Sequence, residues 1–455
     1  MTSLNCFHIA DHANSIPIIS LTNAQYASWL AEQSNFVQTW LAQINFTCEG
    51  NQFVTIPALD GQLAIVLLSL QHEKDFWAFG KLPLNLPEKI FHIANFSQPN
   101  MAALAWSLGA YQFEKFKSPN RNPAKLIIPQ AILDQLQSMP ESIYLVRDLV
   151  NTPAEQMSPE DLAIAAESLA KEYGAQFSQI VGDDLLKQNY PAIHAVGRAS
   201  NRAPRLIEIR AGLPTDKAIT IVGKGVCFDS GGLDIKPANG MALMKKDMGG
   251  AAHALALARL ILANRLPIYL RVLIPAVDNA ISANAYRPGD VVFTHKGLTI
   301  EIGNTDAEGR VILADALAAA VEENPALIID FATLTGAGRV ALGAEIPAMF
   351  SNDANIRNMI WHVSETSQDL VWPMPLHQPY KDFLKSAIAD INNDCASPYG
   401  GAIAAALFLQ TFVGEIPWVH FDLNAWNITE RAGRPVGGEA MGLRAVFEFL
   451  REFVG

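Results

Sequence analysis

The sequence predicts an α/β protein: a C-terminal three-layer domain whose largely parallel, mixed sheet is covered by helices, and a smaller N-terminal α/β domain before it. Three observations predict it. The chain has 455 residues, 50% hydrophobic and 17% charged, enough apolar material for more than one core and too long for one ordinary domain. From "AITIVGKGV" onward, apolar β-branched runs alternate with helical runs, the pattern of strands joined by crossover helices. The first 125 residues follow a different pattern, mixing amphipathic helical stretches with short strand-like runs.

In chain order, "YASWLAEQSNFVQTWLAQI" and "MAALAWSLGAYQFEKF" read as helical, and "QFVTIPA" and "LAIVLLSL" as strands. The polar, two-proline segment "KSPNRNPAK" reads as a linker, and "AILDQLQSMPESIYLVRDLV" as a connecting helix. The expected division is therefore residues 1–125, a connection over 126–150, and a functional domain over 151–455. In the last part, the runs "IYLRVLIPAV", "LTIEIG" and "PALIIDFATL" are strand-like. They alternate with helical "GGAAHALALARLILA", "VILADALAAAVEE" and "GAIAAALFLQTFV". In such a sheet the loops at the carboxyl ends of the strands carry function.

Composition narrows the partners. A net charge of −12 gives no electrostatic reason to expect nucleic acid or an anionic membrane as principal ligand. The four cysteines (Cys6, Cys48, Cys227, Cys395) form no CxxC pair, which fits a reducing, cytoplasmic compartment. The first twenty residues lack a basic segment followed by an apolar one, so no secretory leader is expected there. The longest apolar stretches fall short of a membrane span.

Two clusters carry chemistry. In "NTDAEGR" an extended backbone would place Asp306, Glu308 and Arg310 on one side, offering two carboxylates and one planar cationic fork. Upstream, "IVGKGVCFDSGGLDIKPANGMALMKKDMGGAAHALALA" sets Lys224, Asp229, Lys236 and Asp247 among glycines that let the backbone crowd close to whatever is held. The spacing is neither GxxxxGK[ST] nor GxGxxG, and several carboxylates would repel a phosphate. If the clusters meet at neighbouring strand ends, Asp229, Asp247, Asp306 and Glu308 could not all stay ionised uncompensated. Two divalent cations would neutralise them. No histidine falls inside either cluster, so the site would be oxygen-rich, suited to zinc, manganese, magnesium or cobalt. Lys224 could join as a ligand only when neutral, and an adjacent dication lowers its pKa in that direction. His253 reads as a packed or hydrogen-bonded histidine and Cys227 as a small buried residue.

Together "NTDAEGR", "VGKGVCFDSGG", the downstream Lys236, "KKDMGGA", "DFATLTGA" and "RDLVNTPAEQMSP" resemble the leucyl aminopeptidases, the M17 family of dimetal exopeptidases. The match runs from about residue 145 to the C-terminus, with several motifs in the right order and spacing. The resemblance implies a two-metal catalytic domain, a preceding domain similar to macro domains, a homohexamer and peptide substrates with a leucine-like or broad apolar N-terminal residue. Carried over residue by residue, Lys224, Asp229, Asp247 and Glu308 would surround one metal, and Asp229, Asp306 and Glu308 the other. Zinc or manganese is expected first. Lys236 and Arg310 match the two catalytic positions, Lys236 toward the oxyanion and Arg310 holding bicarbonate as general base. A metal-bridging water would attack the scissile carbonyl, and the substrate's free amine would ligate one metal. Met244, Thr333 and Gly336 match the side-chain pocket, with Leu334 adding backbone contacts. The chain departs from the family pattern at Gly240-Met241-Ala242 and at Gly338-Arg339, both of which bear on side-chain preference.

Two other readings accompany this one. A binding role, such as DNA recognition through the oligomer surface, meets the acidic balance of the chain. A different dimetal hydrolase acting on phosphoesters meets the lysine at the ligand position and the scarcity of arginines around the clusters.

Overall fold

A computed structural model describes residues 4–9 and 14–455 of the protein. Residues 1–3 and 10–13, part of the stretch read above for a leader, lie outside them. The chain forms two compact units, Met1–Tyr144 with Thr429–Val436, and Leu145–Ile428 with Gly437–Gly455. The boundary thus falls inside helix Ser138–Asn151 rather than near residue 125. The segment "KSPNRNPAK" is an internal loop of the first unit, because its last residue opens strand Lys125–Ile127. That strand pairs in parallel with Phe7–His8 and Ile90–Ile93.

The first unit holds a six-stranded sheet. Its order is Phe7–His8, Lys125–Ile127, Ile90–Ile93, Ile16–Thr22, Leu63–Leu70, Phe53–Pro57, parallel except at the last, antiparallel pair. The run "YASWLAEQSNFVQTWLAQI" breaks into two helices, Asn23–Ala31 and Asn35–Gln43, where the Ser34 hydroxyl accepts from Val37 N and starts the second.

The second unit holds a nine-stranded mixed sheet. Its centre is Trp418–Asp422, Leu327–Ala332, Lys217–Gly223 and Ile268–Asn279, all mutually parallel, and Gly225–Asp229 pairs in parallel with the end of Ile268–Asn279. Antiparallel strands Ala348–Ser351 and Arg205–Ala211 flank this centre. Helices Gly249–Ala263, Pro159–Tyr173 and Leu443–Val454 form one covering layer; Glu308–Val321, Pro191–Gly197 and Gly401–Val413 form the other. Strand residues divide between the two. Val222, Leu273 and Ile328 pack with Val311, Leu317 and Phe408 in one fully buried cluster. Each such side chain contributes about 1.5–3 kcal/mol by leaving water.

Parallel pairing puts the carboxyl ends of the central strands along one edge, and the loops there bear most of the residues singled out from the sequence. The helix Gly249–Ala263 starts hard against that edge. A Cβ at Gly250 would lie 2.1 Å from Phe331 O, so any side chain there would push the helix off the strand ends. The close approach is held by Lys224 N donating to Phe331 O (3.0 Å) and Ala251 N donating to Lys224 O (2.8 Å).

Candidate functional site

Lys224 leaves the central strand Lys217–Gly223 and turns its side chain inward, where it is 3% exposed. Its Nζ lies 2.8 Å from Asp247 Oδ2, 2.8 Å from Glu308 Oε1, and donates to Thr333 O at 2.9 Å. Room for it comes from Gly309, where a Cβ would meet Lys224 Cε at 2.6 Å. Asp247 sits in the short 3-10 turn Met244–Met248 just before the helix, and the Thr333 hydroxyl donates to its Oδ1 at 2.7 Å.

Asp229, the last residue of strand Gly225–Asp229, contacts the second lysine: Lys236 Nζ is 2.7 Å from Asp229 Oδ2 and is ion-paired with Asp306. Carboxylate oxygens of Asp229, Asp306 and Glu308 lie within 4.8 Å of one another, which joins the two lysine-centred groups into one cluster. The two sequence clusters therefore meet.

They meet by a different backbone than the extended one expected for "NTDAEGR". Asn304 Oδ1 accepts from Asp306 N (2.7 Å), and the buried Thr305 hydroxyl donates to Gly231 O (2.7 Å) while its N donates to Asp234 Oδ2 (2.8 Å). These bonds curl residues 305–306 into a turn, and the helix Glu308–Val321 begins at once. Asp306 is thus delivered by the turn and Glu308 by the first position of the helix. Arg310 lies two residues further along, where a helix does not repeat a face. Its Nη1 donates to Asn393 O at 2.8 Å, and its buried Nε has no partner.

Electrostatics within this cluster are undercompensated. Four carboxylates face two ammoniums, and the buried Glu308 Oε2 has no hydrogen-bond partner. Burial, and then Asp229, push the Glu308 carboxyl up to about 8 and Asp306 up to about 6. Burial opposes the charge of both lysines. Asp247, Glu308 and Asp229 nonetheless hold Lys224, and Asp229 with Asp306 hold Lys236, above the ordinary lysine range. An oxygen-rich set this short of positive charge fits divalent cations.

Of the residues that the resemblance matches to a side-chain pocket, Thr333 touches the cluster and the others lie on the segments that flank it. Met244 opens the turn that carries Asp247, and Thr333 bonds Asp247 and receives Lys224. Gly336 is the exposed first residue of helix Gly336–Leu342. Leu334 N and Thr335 N donate to Asp422 Oδ1 at 3.1 and 3.0 Å. Lys246, next to Asp247, is buried and donates its Nζ to Asn424 O at 3.0 Å.

Three supporting residues were not picked out by sequence reasoning. Asn279 Nδ2 donates to Asp229 Oδ1 (2.9 Å) and Thr305 O (3.0 Å), tying one cluster to the other. Asn393 accepts from Gly303 N and offers its own carbonyl to Arg310. Asp422 holds the loop after strand Leu327–Ala332. Asn279 and Asp422 each end a strand of the central sheet, the position that marks them. His253, read as packed, is fully buried between Gly249 O (2.6 Å) and Met441 N (2.9 Å), and Cys227 is fully buried.

Residues 144–447 match the catalytic domain of the cytosol aminopeptidase family, and residues 16–129 match the N-terminal domain of M17 aminopeptidases. A probable cytosol aminopeptidase of Syntrophotalea carbinolica is 42% identical over 365 residues, covering 76% of this chain and 73% of that one. The crystal structure of cytosol aminopeptidase from Coxiella burnetii is 48% identical with a TM-score of 0.96, over 99% of this chain and 100% of that one. The bottromycin maturation enzyme BotP in complex with Mn is 30% identical with a TM-score of 0.86, over 97% of this chain and 100% of that one. Among the described residues no helix is long and apolar enough to cross a membrane. A matched catalytic domain over most of the chain, joined to a cluster built for cations, means that this chain belongs to the cytosol aminopeptidase family and is a metal-dependent exopeptidase releasing the N-terminal residue of peptides.

Proposed function

We propose that Lys224, Asp229, Asp247, Asp306 and Glu308 hold two divalent ions, with Asp229 and Glu308 shared between them, and that Lys236 and Arg310 are the catalytic side chains. The observation that carries this reading is the unpartnered Glu308 Oε2 inside a buried cluster where carboxylates outnumber ammoniums. Manganese or zinc suits the oxygen-rich donors, and the manganese complex of BotP supports manganese. When bound, the ions supply Lewis acidity toward the scissile carbonyl and lower the pKa of water in the cleft.

The chain's own groups do the rest. Lys236 carries a fixed ammonium at the mouth of the cluster, where it donates to the carbonyl oxygen as that oxygen gains charge. Arg310 offers an unpartnered, buried Nε, a donor suited to a carboxylate-like anion such as bicarbonate that takes the proton of the attacking water. Met244, Thr333 and Gly336 line the pocket for the N-terminal side chain, and Leu334 contributes backbone. A homohexamer follows from the motif resemblance, and the naming of the relatives as cytosol aminopeptidases supports a cytoplasmic location.

The test is an Asp306→Ala variant assayed on aminoacyl p-nitroanilides beside the wild-type protein, each stripped with chelator and then resupplied with metal. Wild-type activity should vanish and return. The variant should bind fewer than two ions and lose most activity. Full activity with two ions still bound would remove the ligand assignment.

A further inference from the structure

We infer that the pocket for the N-terminal side chain admits acidic residues, and that Arg339 selects them. The inference rests on the placement of Met244, Thr333 and Gly336 in that pocket, and it departs from the apolar preference that the family resemblance implies.

Arg339 lies in helix Gly336–Leu342, one turn beyond Gly336, and folds back over it: a Cβ on Gly336 would lie 3.6 Å from Arg339 Nη2. Its Nη1 donates to Asn424 Oδ1 at 3.4 Å, a long and neutral contact. The Asn424 amide is fixed in that sense because its Nδ2 donates to Trp426 O at 2.8 Å. Beneath it, Lys246 reaches the Asn424 carbonyl. Lys246 follows Met244 by two residues, so two basic side chains, Arg339 and Lys246, converge on Asn424.

No carboxylate of the protein answers Arg339 among the described residues. Asp422, two residues before Asn424, has its oxygens taken by Leu334 N, Thr335 N and the Thr335 hydroxyl. An exposed guanidinium with only a weak amide contact, folded over Gly336, is free to take a carboxylate in a two-pronged contact. A glutamyl or aspartyl side chain entering past Gly336 supplies one. The unbranched Met244 side chain accepts the methylenes of glutamate as it accepts leucine.

The experiment compares kcat/KM for glutamyl, glutaminyl and leucyl p-nitroanilides with the metal-loaded enzyme. Glutamate and glutamine share a shape, so their ratio isolates charge. The wild-type protein should favour glutamyl over glutaminyl by roughly ten- to a hundredfold, the range of a charge-assisted hydrogen bond. Arg339→Gln should bring that ratio toward one, and Arg339→Glu should take it below one. Arg339 is exposed, so neither substitution disturbs a core. A wild-type ratio at or below one, or a ratio unmoved in both variants, overturns the inference. A Met244→Ala variant separates this failure from that of the pocket assignment. An unchanged leucyl to glutaminyl ratio there removes the pocket and the inference together, whereas a changed ratio with a charge-blind Arg339 removes the inference alone.

Discussion

Lys224 and Glu308 form a buried ion pair, with Nζ 2.8 Å from Oε1. The pair satisfies only one oxygen of Glu308, and burial followed by Asp229 raises that carboxyl to about 8 and the Asp306 carboxyl to about 6, against ordinary values of 4.5 and 3.8. Both folded-state values lie above the unfolded ones. Between about pH 4 and pH 8 the metal-free fold therefore binds more protons than the unfolded chain, and its stability falls as pH rises through that window. Chelator-stripped protein followed by thermal melting from pH 5 to pH 8 should show a falling Tm. Glu308→Gln should flatten that fall, and added manganese should raise the wild-type Tm more at pH 8 than at pH 5, because binding must expel the protons. A stripped wild type and Glu308→Gln with parallel pH profiles would contradict the raised carboxyl.

Lys236 has a role separable from holding the cluster together. Its ammonium contacts Asp229 and Asp306 at the more open end of the site, with its side chain 14% exposed where Lys224 is 3%. If it donates to the oxyanion, Lys236→Met should cost roughly a hundred- to a thousandfold in kcat, with KM little changed, as loss of a transition-state donor does. Metal content measured on the same sample should stay at two ions. A rise in KM with kcat preserved would assign Lys236 to ground-state binding instead.

Arg310 offers a sharper test, since its proposed partner can be added or withheld. Its guanidinium is buried, donates to Asn393 O, and leaves Nε unpaired. In carbonate-free buffer the wild-type rate should rise when bicarbonate is supplied, and Arg310→Met should be slower and indifferent to bicarbonate. Stimulation that survives in the variant would place the anion elsewhere.

The chemistry is legible in the sequence because its residues are concentrated. The five proposed ligand positions and both proposed catalytic positions fall in two stretches, residues 224–247 and 306–310, each between a strand and a helix. What holds them is dispersed. Asn279, Asn393 and Asp422 are single residues on separate segments, and each acts largely through backbone groups that no periodicity marks. The alternation of runs predicts the parallel centre of the second sheet. It does not predict that the chain returns to the first unit for residues 429–436, where "TERAGRPV" carries neither a helical nor a strand period. The turn in "NTDAEGR" escapes for a similar reason: the bonds from Thr305 to Gly231 and Asp234 are long-range, and they override the local extended pattern.

Asp422 is the supporting residue whose loss should be most informative. Its Oδ1 accepts two backbone N–H groups, from Leu334 and Thr335, and its Oδ2 accepts the Thr335 hydroxyl at 2.5 Å. The segment so fixed offers the Thr333 carbonyl to Lys224 and the Thr333 hydroxyl to Asp247. Asp422→Asn keeps the shape and one acceptor oxygen, but turns an amide donor toward Thr335 and removes the charge that favours two N–H donors. Outer partners of this kind typically cost roughly 10–100-fold in activity or metal affinity. Because the segment also carries Leu334 and leads to Gly336, the loss in kcat/KM should be larger for leucyl than for glycyl p-nitroanilide, which places no side chain in the pocket. Equal losses on both substrates, with metal content reduced, would show instead that Asp422 acts through Asp247 and the ions. The two patterns distinguish a residue that shapes the pocket from one that secures the metal cradle.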